Sequence, residues 1–459
     1  MKTNIEKKEL FFLIFGIFLV SLGVIFNQWL VARFFSSEGI LEFSNEVFVW
    51  FSQAFFLSFG LALIFKRKNT EACFNVLLLF FALCLCLLGL ELFLRFSEKS
   101  LTPLNEKGQT VYLSTPEFHH NYRPSQVFVT NPSVPEEFEP AESTVNSLAI
   151  RGPEIPEKEP GEYRVLLIGD SFVQADEIAF EKTMGELLNK SLGYKKIRVI
   201  QHGIGSWSPL LELNWLLKEG FILKPDLVID FLCINDFYGS YAMADASYTK
   251  QAEFDSFGLP VRFNVSSGSS WWKPRLLDLP RRFFQKNASF NQEEIDSWLS
   301  ADSSSIRSSL DILIPNDIKF SNLIKDIVLL SRPAGSWDEE TSKTVSLSLG
   351  YLEKMNQAAK ENNSSLALTF VPLGWNVSLN ENIEGRKAYG FSSVLLPLGG
   401  IDEKIKQFSL ENKIDYINIY DRFKGLSSGS EKLFLANDGH FSAKGQEVVS
   451  EIISDYLNR

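Results

Sequence analysis

A serine, a histidine and an acid that together can carry an acyl group stand at Ser171, His440 and Asp438 of this 459-residue chain. Ser171 lies in Gly169-Asp170-Ser171-Phe172, directly after the apolar run Val165-Leu166-Leu167-Ile168. The run reads as a strand that delivers the hydroxyl to its carboxyl end, where open α/β sheets bind their ligands. Acyl transfer through serine needs a base for the hydroxyl proton, an acid to hold that base in one tautomer, and donors for the developing oxyanion. The histidines are His119, His120, His202 and His440. His440 is the candidate base, because Asn437-Asp438-Gly439-His440-Phe441-Ser442 also supplies Asp438 to orient its ring. Asn235, just past a second apolar run from Leu227 to Cys233, offers a side-chain amide to the oxyanion beside backbone N–H groups near Ser171. His119 and His120 sit in a Pro-rich stretch with no cysteine or paired carboxylate at ligand spacing, so they read as loop residues rather than a metal site. His202 reads as pocket-lining or solvent-exposed.

The order and spacing of these segments resemble the blocks of the SGNH (GDSL-type) hydrolase family, over residues 146–459. The resemblance implies a Ser171–His440–Asp438 triad, an oxyanion hole built from Asn235 and the second block, and no cofactor or metal. The lead-in Asn146-Ser147-Leu148-Ala149-Ile150-Arg151-Gly152-Pro153-Glu154 is similar to the entry segment of membrane-anchored bacterial members. Three positions depart from the family pattern. In Gly203-Ile204-Gly205-Ser206-Trp207-Ser208-Pro209, Ser206 falls where the family carries its oxyanion glycine, with Gly205 one place earlier, and either can supply the N–H. Cys233 stands where the family has a glycine ahead of Asn-Asp, which narrows the pocket beside Asn235. Asp438 precedes His440 by two residues, as in alginate-type acetyltransferase relatives, rather than by the three of secreted lipases.

These residues need a sheet to bring them together. From Tyr163 strand and helix patterns alternate: a strand into Gly169, a helix near 180–192, a strand at 197–201, a helix at 209–219 and a strand into Asn235. A helix near 347–362, strands at 366–371 and 416–419 and a last helix, Ala443 to Leu457 with Ser442 as N-cap, complete the pattern. Such alternation predicts parallel strands with crossover helices. The expected fold class is α/β, a flavodoxin-like three-layer α/β/α domain of about five parallel strands over residues 161–459. An insertion at about 240–344 breaks the rhythm and gathers Trp271, Trp272, Arg275, Arg281, Arg282, Phe283 and Phe284, as a lid or wall or simply as packing. Residues 97–160, with Pro103, Pro116, Pro124, Pro132, Pro135 and Pro140 and the acidic Glu136, Glu137, Glu139 and Glu142, read as a Pro-rich extracytoplasmic linker, part of which packs on the domain.

Residues 1–96 read as a membrane region with three spans, about Leu10 to Leu30, Val47 to Phe65 and Cys73 to Leu94, each near the ~20 residues that cross a bilayer core. The first lacks a small-x-small cleavage site and reads as a retained anchor. Lys2, Lys7 and Lys8 precede it and Lys66, Arg67 and Lys68 separate the second span from the third, whereas Glu38, Glu42 and Glu46 outnumber Arg33 between the first two. Cations collect inside, so the chain after Leu94 is expected on the outer face of a bacterial inner membrane, periplasmic in a diderm. Glu91 and Arg95, one turn apart, read as an interfacial ion pair. A net charge of −11 argues against a nucleic-acid partner.

What the residues and the resemblance together imply is a membrane-anchored serine esterase that cleaves acyl esters of an envelope glycan or lipid through an acyl-enzyme. The same triad serves an O-acyltransferase that passes the acyl group to a surface polysaccharide. A noncatalytic glycan-binding envelope protein is the alternative outside enzymology.

Overall fold

The computed structural model describes residues 2–35, 43–97, 105–129, 141–239, 243–265, 289–301, 306, 318–427 and 429–459. They fall into two compact units, an N-terminal helical one and one that holds every described strand.

The N-terminal unit contains helices Lys2–Ile25, Gln28–Phe35, Phe43–Lys66 and Thr70–Ser97. Three segments in them, Glu6–Ile25, Val49–Lys66 and Thr70–Arg95, are long and apolar enough to cross a membrane. The first ends earlier than the hydropathy of the sequence implies. Asn27 Oδ1 accepts the Leu30 N–H at 3.0 Å and so caps a separate short helix. Helices Lys2–Ile25 and Phe43–Lys66 touch at two glycines: a Cβ on Gly16 would lie 2.8 Å from the Gly60 carbonyl oxygen, and one on Gly60 2.7 Å from that of Gly16. Backbones approach this closely only where the side chain is absent. Arg95 Nε donates to Glu91 Oε1 at 2.6 Å, the ion pair expected from their spacing.

In the second unit the stretch expected as a linker is built instead. It carries β1 (Tyr112–Thr115) and β2 (His119–Tyr122), an antiparallel pair, and β3 (Gln126–Val129) and β4 (Glu142–Val145), another. Val111, Tyr122, Phe128 and Val145 are buried in the main core, which is why this segment folds onto the domain despite its prolines. Pro103, Pro132, Pro135 and Pro140 lie outside the described residues. His119 and His120 are accordingly strand residues, not loop residues.

The central sheet comprises β5 (Tyr163–Gly169), β6 (Ile197–Gly203), β7 (Leu227–Leu232), β10 (Ser365–Phe370) and β11 (Asp415–Tyr416), with β8 (Ala252–Phe254) and β9 (Pro260–Phe263) forming a hairpin inside the insertion. Its order is β11-β10-β7-β5-β6 and every pairing is parallel, the flavodoxin-like order 2-1-3-4-5. The helices group as this order demands. Met184–Leu192 packs on Ala443–Leu457, and Pro209–Lys218 packs on Glu339–Glu361. The strands at the centre of the sheet are buried on both faces; in β5 Val165 to Ile168 are all fully buried, as in sheets covered on two sides. Two elements are shorter than the sequence suggests. β11 is a two-residue edge strand, and the helix expected near 180–192 is a 3₁₀ turn, Phe180–Lys182, followed by Met184–Leu192. The aromatic and basic cluster at 271–284 lies outside the described residues.

Candidate active site

β5 ends at Gly169, and Asp170 caps the four-residue helix Ser171–Gln174 by accepting the Phe172 N–H at 3.0 Å. Ser171 therefore stands at the first turn of a helix, at the carboxyl edge of the sheet. The turn sits tightly on the neighbouring strand: a Cβ on Gly203 would come within 2.5 Å of the Gln174 nitrogen and 2.6 Å of the Asp170 oxygen, so only glycine fits there. From the other end of the chain, the loop before the last helix brings in His440. Ser442 caps that helix through the Gly445 N–H at 3.1 Å, and an isolated bridge joins Phe434 to Phe441.

Residues 269 positions apart then meet. His440 Nε2 lies 2.7 Å from Ser171 Oγ, and His440 Nδ1 is hydrogen-bonded to Asp438 Oδ1. The Phe172 ring stands edge-on to the imidazole at 4.9 Å and limits its rotation. Both ring nitrogens are thus engaged, one with a hydroxyl and one with a carboxylate, the arrangement needed to draw a proton from Ser171 and return it to a leaving group.

Sequence reasoning missed a second carboxylate in this group. Glu177 Oε1 lies 3.4 Å from His440 Nδ1, and donor atoms of Glu177, Asp438 and His440 all fall within 4.8 Å of one another. Nε2 on Ser171 and Nδ1 on Asp438 already engage both nitrogens of the ring. Burial alone lowers the basicity of His440, but Glu177, the Asp438 hydrogen bond and charge, and Asp170 outweigh it and lift the imidazole to about 10. Burial raises Glu177 in turn, helped by the charges of Asp438 and Asp176. No residue-type motif announces Glu177; only its offset from Ser171, just past a helix of one turn, places it here.

The expected oxyanion residues are placed unequally. Asn235 follows β7 in the 3₁₀ turn Ile234–Phe237, and its Nδ2 donates one hydrogen to Asp170 Oδ2 at 3.0 Å, leaving the other available. The Gly205 N–H is already given to Gln174 Oε1 at 2.7 Å. Among the described residues the amides of Ser206 and Ser171 have no acceptor. Ser206 has φ +69°, the left-handed region that favours glycine, so the chain keeps at Ser206 the backbone shape for which glycine is suited. Cys233 is buried, and its N–H donates to Asp236 Oδ2 at 2.7 Å.

The second-block loop is anchored from the N-terminal hairpin. His120 Nε2 donates to the Gly205 carbonyl at 2.9 Å, Trp207 Nε1 donates to the His120 carbonyl at 2.9 Å, and Tyr248 Oη donates to the Ser206 carbonyl at 2.7 Å. His120 contacts His119 through their Nδ1 atoms at 2.8 Å, and burial depresses it to about 4, so it is neutral near pH 7. Of the two roles expected for His202, exposure is not found, and it lines a small cavity with Val173, Gln174 and Gly203. It is fully buried in β6 between the rings of Trp207 and Trp215, at 5.1 and 4.2 Å, and burial holds it at about 3.

Comparison with known proteins gives no matching family model and no matching curated protein. Solved structures similar to this one include a GDSL-like lipase from Bacteroides thetaiotaomicron, at 12% identity and TM-score 0.31 over 66% of this chain and 92% of that one. An acetyl xylan esterase gives 11% and 0.31 over 64% and 99%. An acetylxylan esterase from Geobacillus stearothermophilus gives 12% and 0.32 over 65% and 95%. At such identities and TM-scores these likenesses decide nothing about the chemistry of this chain, which rests on the residues described above.

Proposed function

We propose that this protein is a serine esterase of the SGNH type, held at a membrane by its N-terminal helices and acting on acyl esters of an envelope glycan or lipid. The observation that carries the proposal is the continuous relay Ser171–His440–Asp438, at the carboxyl edge of a parallel sheet of order 2-1-3-4-5. Ser171 attacks the ester carbonyl while His440 takes its proton. Asn235 and the free amides of Ser171 and Ser206 hold the oxyanion, and His440 then protonates the departing alcohol. A second nucleophile, activated by the same histidine, releases the acyl group. If that nucleophile is water the enzyme is a hydrolase; if it is a sugar hydroxyl, an O-acyltransferase. The membrane placement is supported by three helices long and apolar enough to span, and an envelope substrate is compatible with that placement.

The test uses the full chain in detergent with short and medium acyl p-nitrophenyl esters, a glycan acceptor present or absent, beside Ser171→Ala and His440→Ala. Turnover lost in both variants supports the serine mechanism, and acyl groups found on the glycan assign transfer. No turnover together with no covalent adduct from a fluorophosphonate probe overturns the enzyme assignment and leaves a glycan-binding protein.

A further inference from the structure

Glu177 is placed with more care than a bystander needs. Ala175 ends the nucleophile helix in the left-handed region, at φ +50°. Asp176 is then clamped: Tyr112 and Tyr122 from the N-terminal hairpin both donate to its carboxylate, as does Gln174 Nε2 at 3.2 Å. On either side of the turn the buried Arg151 donates to the carbonyls of Ala175 at 2.7 Å and Ile178 at 2.6 Å. These anchors hold the backbone on both sides of Glu177. Its Oε1 faces His440 Nδ1 at 3.4 Å, and its Oε2 is buried with no hydrogen-bond donor among the described residues.

We propose that Glu177 is a positioning residue for His440, a second carboxylate on the Nδ1 edge that shares the imidazolium charge with Asp438 and holds the ring when Asp438 cannot. The inference rests on the serine-relay proposal. Among the described residues, the groups facing the imidazole are Ser171 and Phe172 from the nucleophile helix, Asp170 from the strand end, Asp438 from the ring's own loop, and Glu177. Three of these are acids and none is a cation. A base must be neutral to take the serine proton, so each anion beside His440 stabilises the inactive imidazolium and moves the onset of activity to higher pH. Proton balance is unchanged by Glu177: the serine proton goes to Nε2 and then to the leaving oxygen, while Nδ1–H stays between the two carboxylates.

The experiment labels the histidine rings of the full chain with ¹³C in detergent micelles and follows their titration by NMR, with His440→Gln to assign the signal. It is run on wild type, Glu177→Gln, Asp438→Asn and the double variant, alongside kcat/KM profiles against pH. In Glu177→Gln the His440 titration and the acidic limb of kcat/KM both move to lower pH, by roughly one unit. In Asp438→Asn the ring still titrates above the ordinary histidine value of about 6.5. The double variant loses that elevation and far more turnover than either single change. An unmoved His440 titration in Glu177→Gln overturns the inference, as does an Asp438→Asn ring that titrates at the ordinary value. Should wild type show neither turnover nor probe labelling, the serine mechanism fails, and the NMR titration still decides the role of Glu177 on its own.

Discussion

At the scale of single residues, the site separates groups whose type is diagnostic from groups whose backbone is. Ser171, His440, Asp438 and Asn235 are legible in the sequence because only a few side chains can attack, relay a proton or donate to an oxyanion, and these four stand at strand ends or just before a helix. A backbone donor is not legible, since any residue offers an N–H; between Gly205 and Ser206 the difference lies in Gln174, whose side-chain Oε1 already takes the Gly205 amide. Glu177 escaped for the same reason that acids are common on surfaces. The placement of Ser206 at φ +69° makes a specific prediction. Ser206→Gly keeps or slightly improves kcat, because glycine adopts that conformation without strain, whereas Ser206→Val lowers it by disturbing the donor. Asn235→Ala is expected to lower kcat by about 10²–10³, the typical cost of one oxyanion donor, with a smaller change in KM. Steady-state kinetics on the three variants checks both statements, and equal kcat for Ser206→Val and wild type would remove Ser206 from the hole.

Among elements, the sheet was predictable and the hairpins were not. β5, β7 and β10 announce themselves as largely apolar runs ended by Gly, Asn or Pro, whereas β1 and β2 contain Ser, Thr, His and Asn and fold because Val111, Tyr122 and Phe128 find the core. Their role is equally invisible in composition: Tyr112 and Tyr122 hold Asp176 just past the Ser171 turn, and His120 holds the Gly205 carbonyl. A different tension lies between β7 and the helix Pro209–Lys218. Glu212 and Asp230 are fully buried, and no donor among the described residues reaches their carboxyl oxygens. A bond between the two requires one to keep its proton. Burial pushes Glu212 well up, aided by the charges of Asp230, Asp236, Asp170 and Asp245, and burial lifts Asp230 to about 8. In the unfolded chain both ionise near pH 4. Between that pH and the folded value the unfolded state holds fewer protons than the native state, so this pair's contribution to stability is complete below about pH 4 and is lost as pH rises toward 8. Glu212→Gln, neutral at every pH, is therefore expected to flatten the fall in melting temperature between pH 5 and 8, removing up to about 1.4 kcal/mol of stability loss per pH unit. Melting curves of the two proteins with identical slopes over that range would show that the pair is ionised in the native state.

For the whole molecule, the charges flanking the apolar helices bear directly on which side of a membrane would carry the serine. Lys66, Arg67 and Lys68 lie at the junction of the second and third apolar segments, and Lys7 and Lys8 at the start of the first. The positive-inside tendency counts cations in such short loops and gives little weight to acids. It puts both of these clusters on the cytoplasmic face, and with three crossings everything after Arg95 on the other. The prediction is that alkaline phosphatase fused after Arg459 is active in intact bacteria while green fluorescent protein exported through the same fusion stays dark. Replacing Lys66, Arg67 and Lys68 together by Gln should then yield a mixed population, with part of the phosphatase activity lost, because the Lys cluster before the first segment alone no longer distinguishes the two orientations of the pair that follows it. Full fluorescence of the wild-type fusion would place the triad in the cytoplasm, and an envelope substrate on the outer face would no longer be tenable even with the serine chemistry intact.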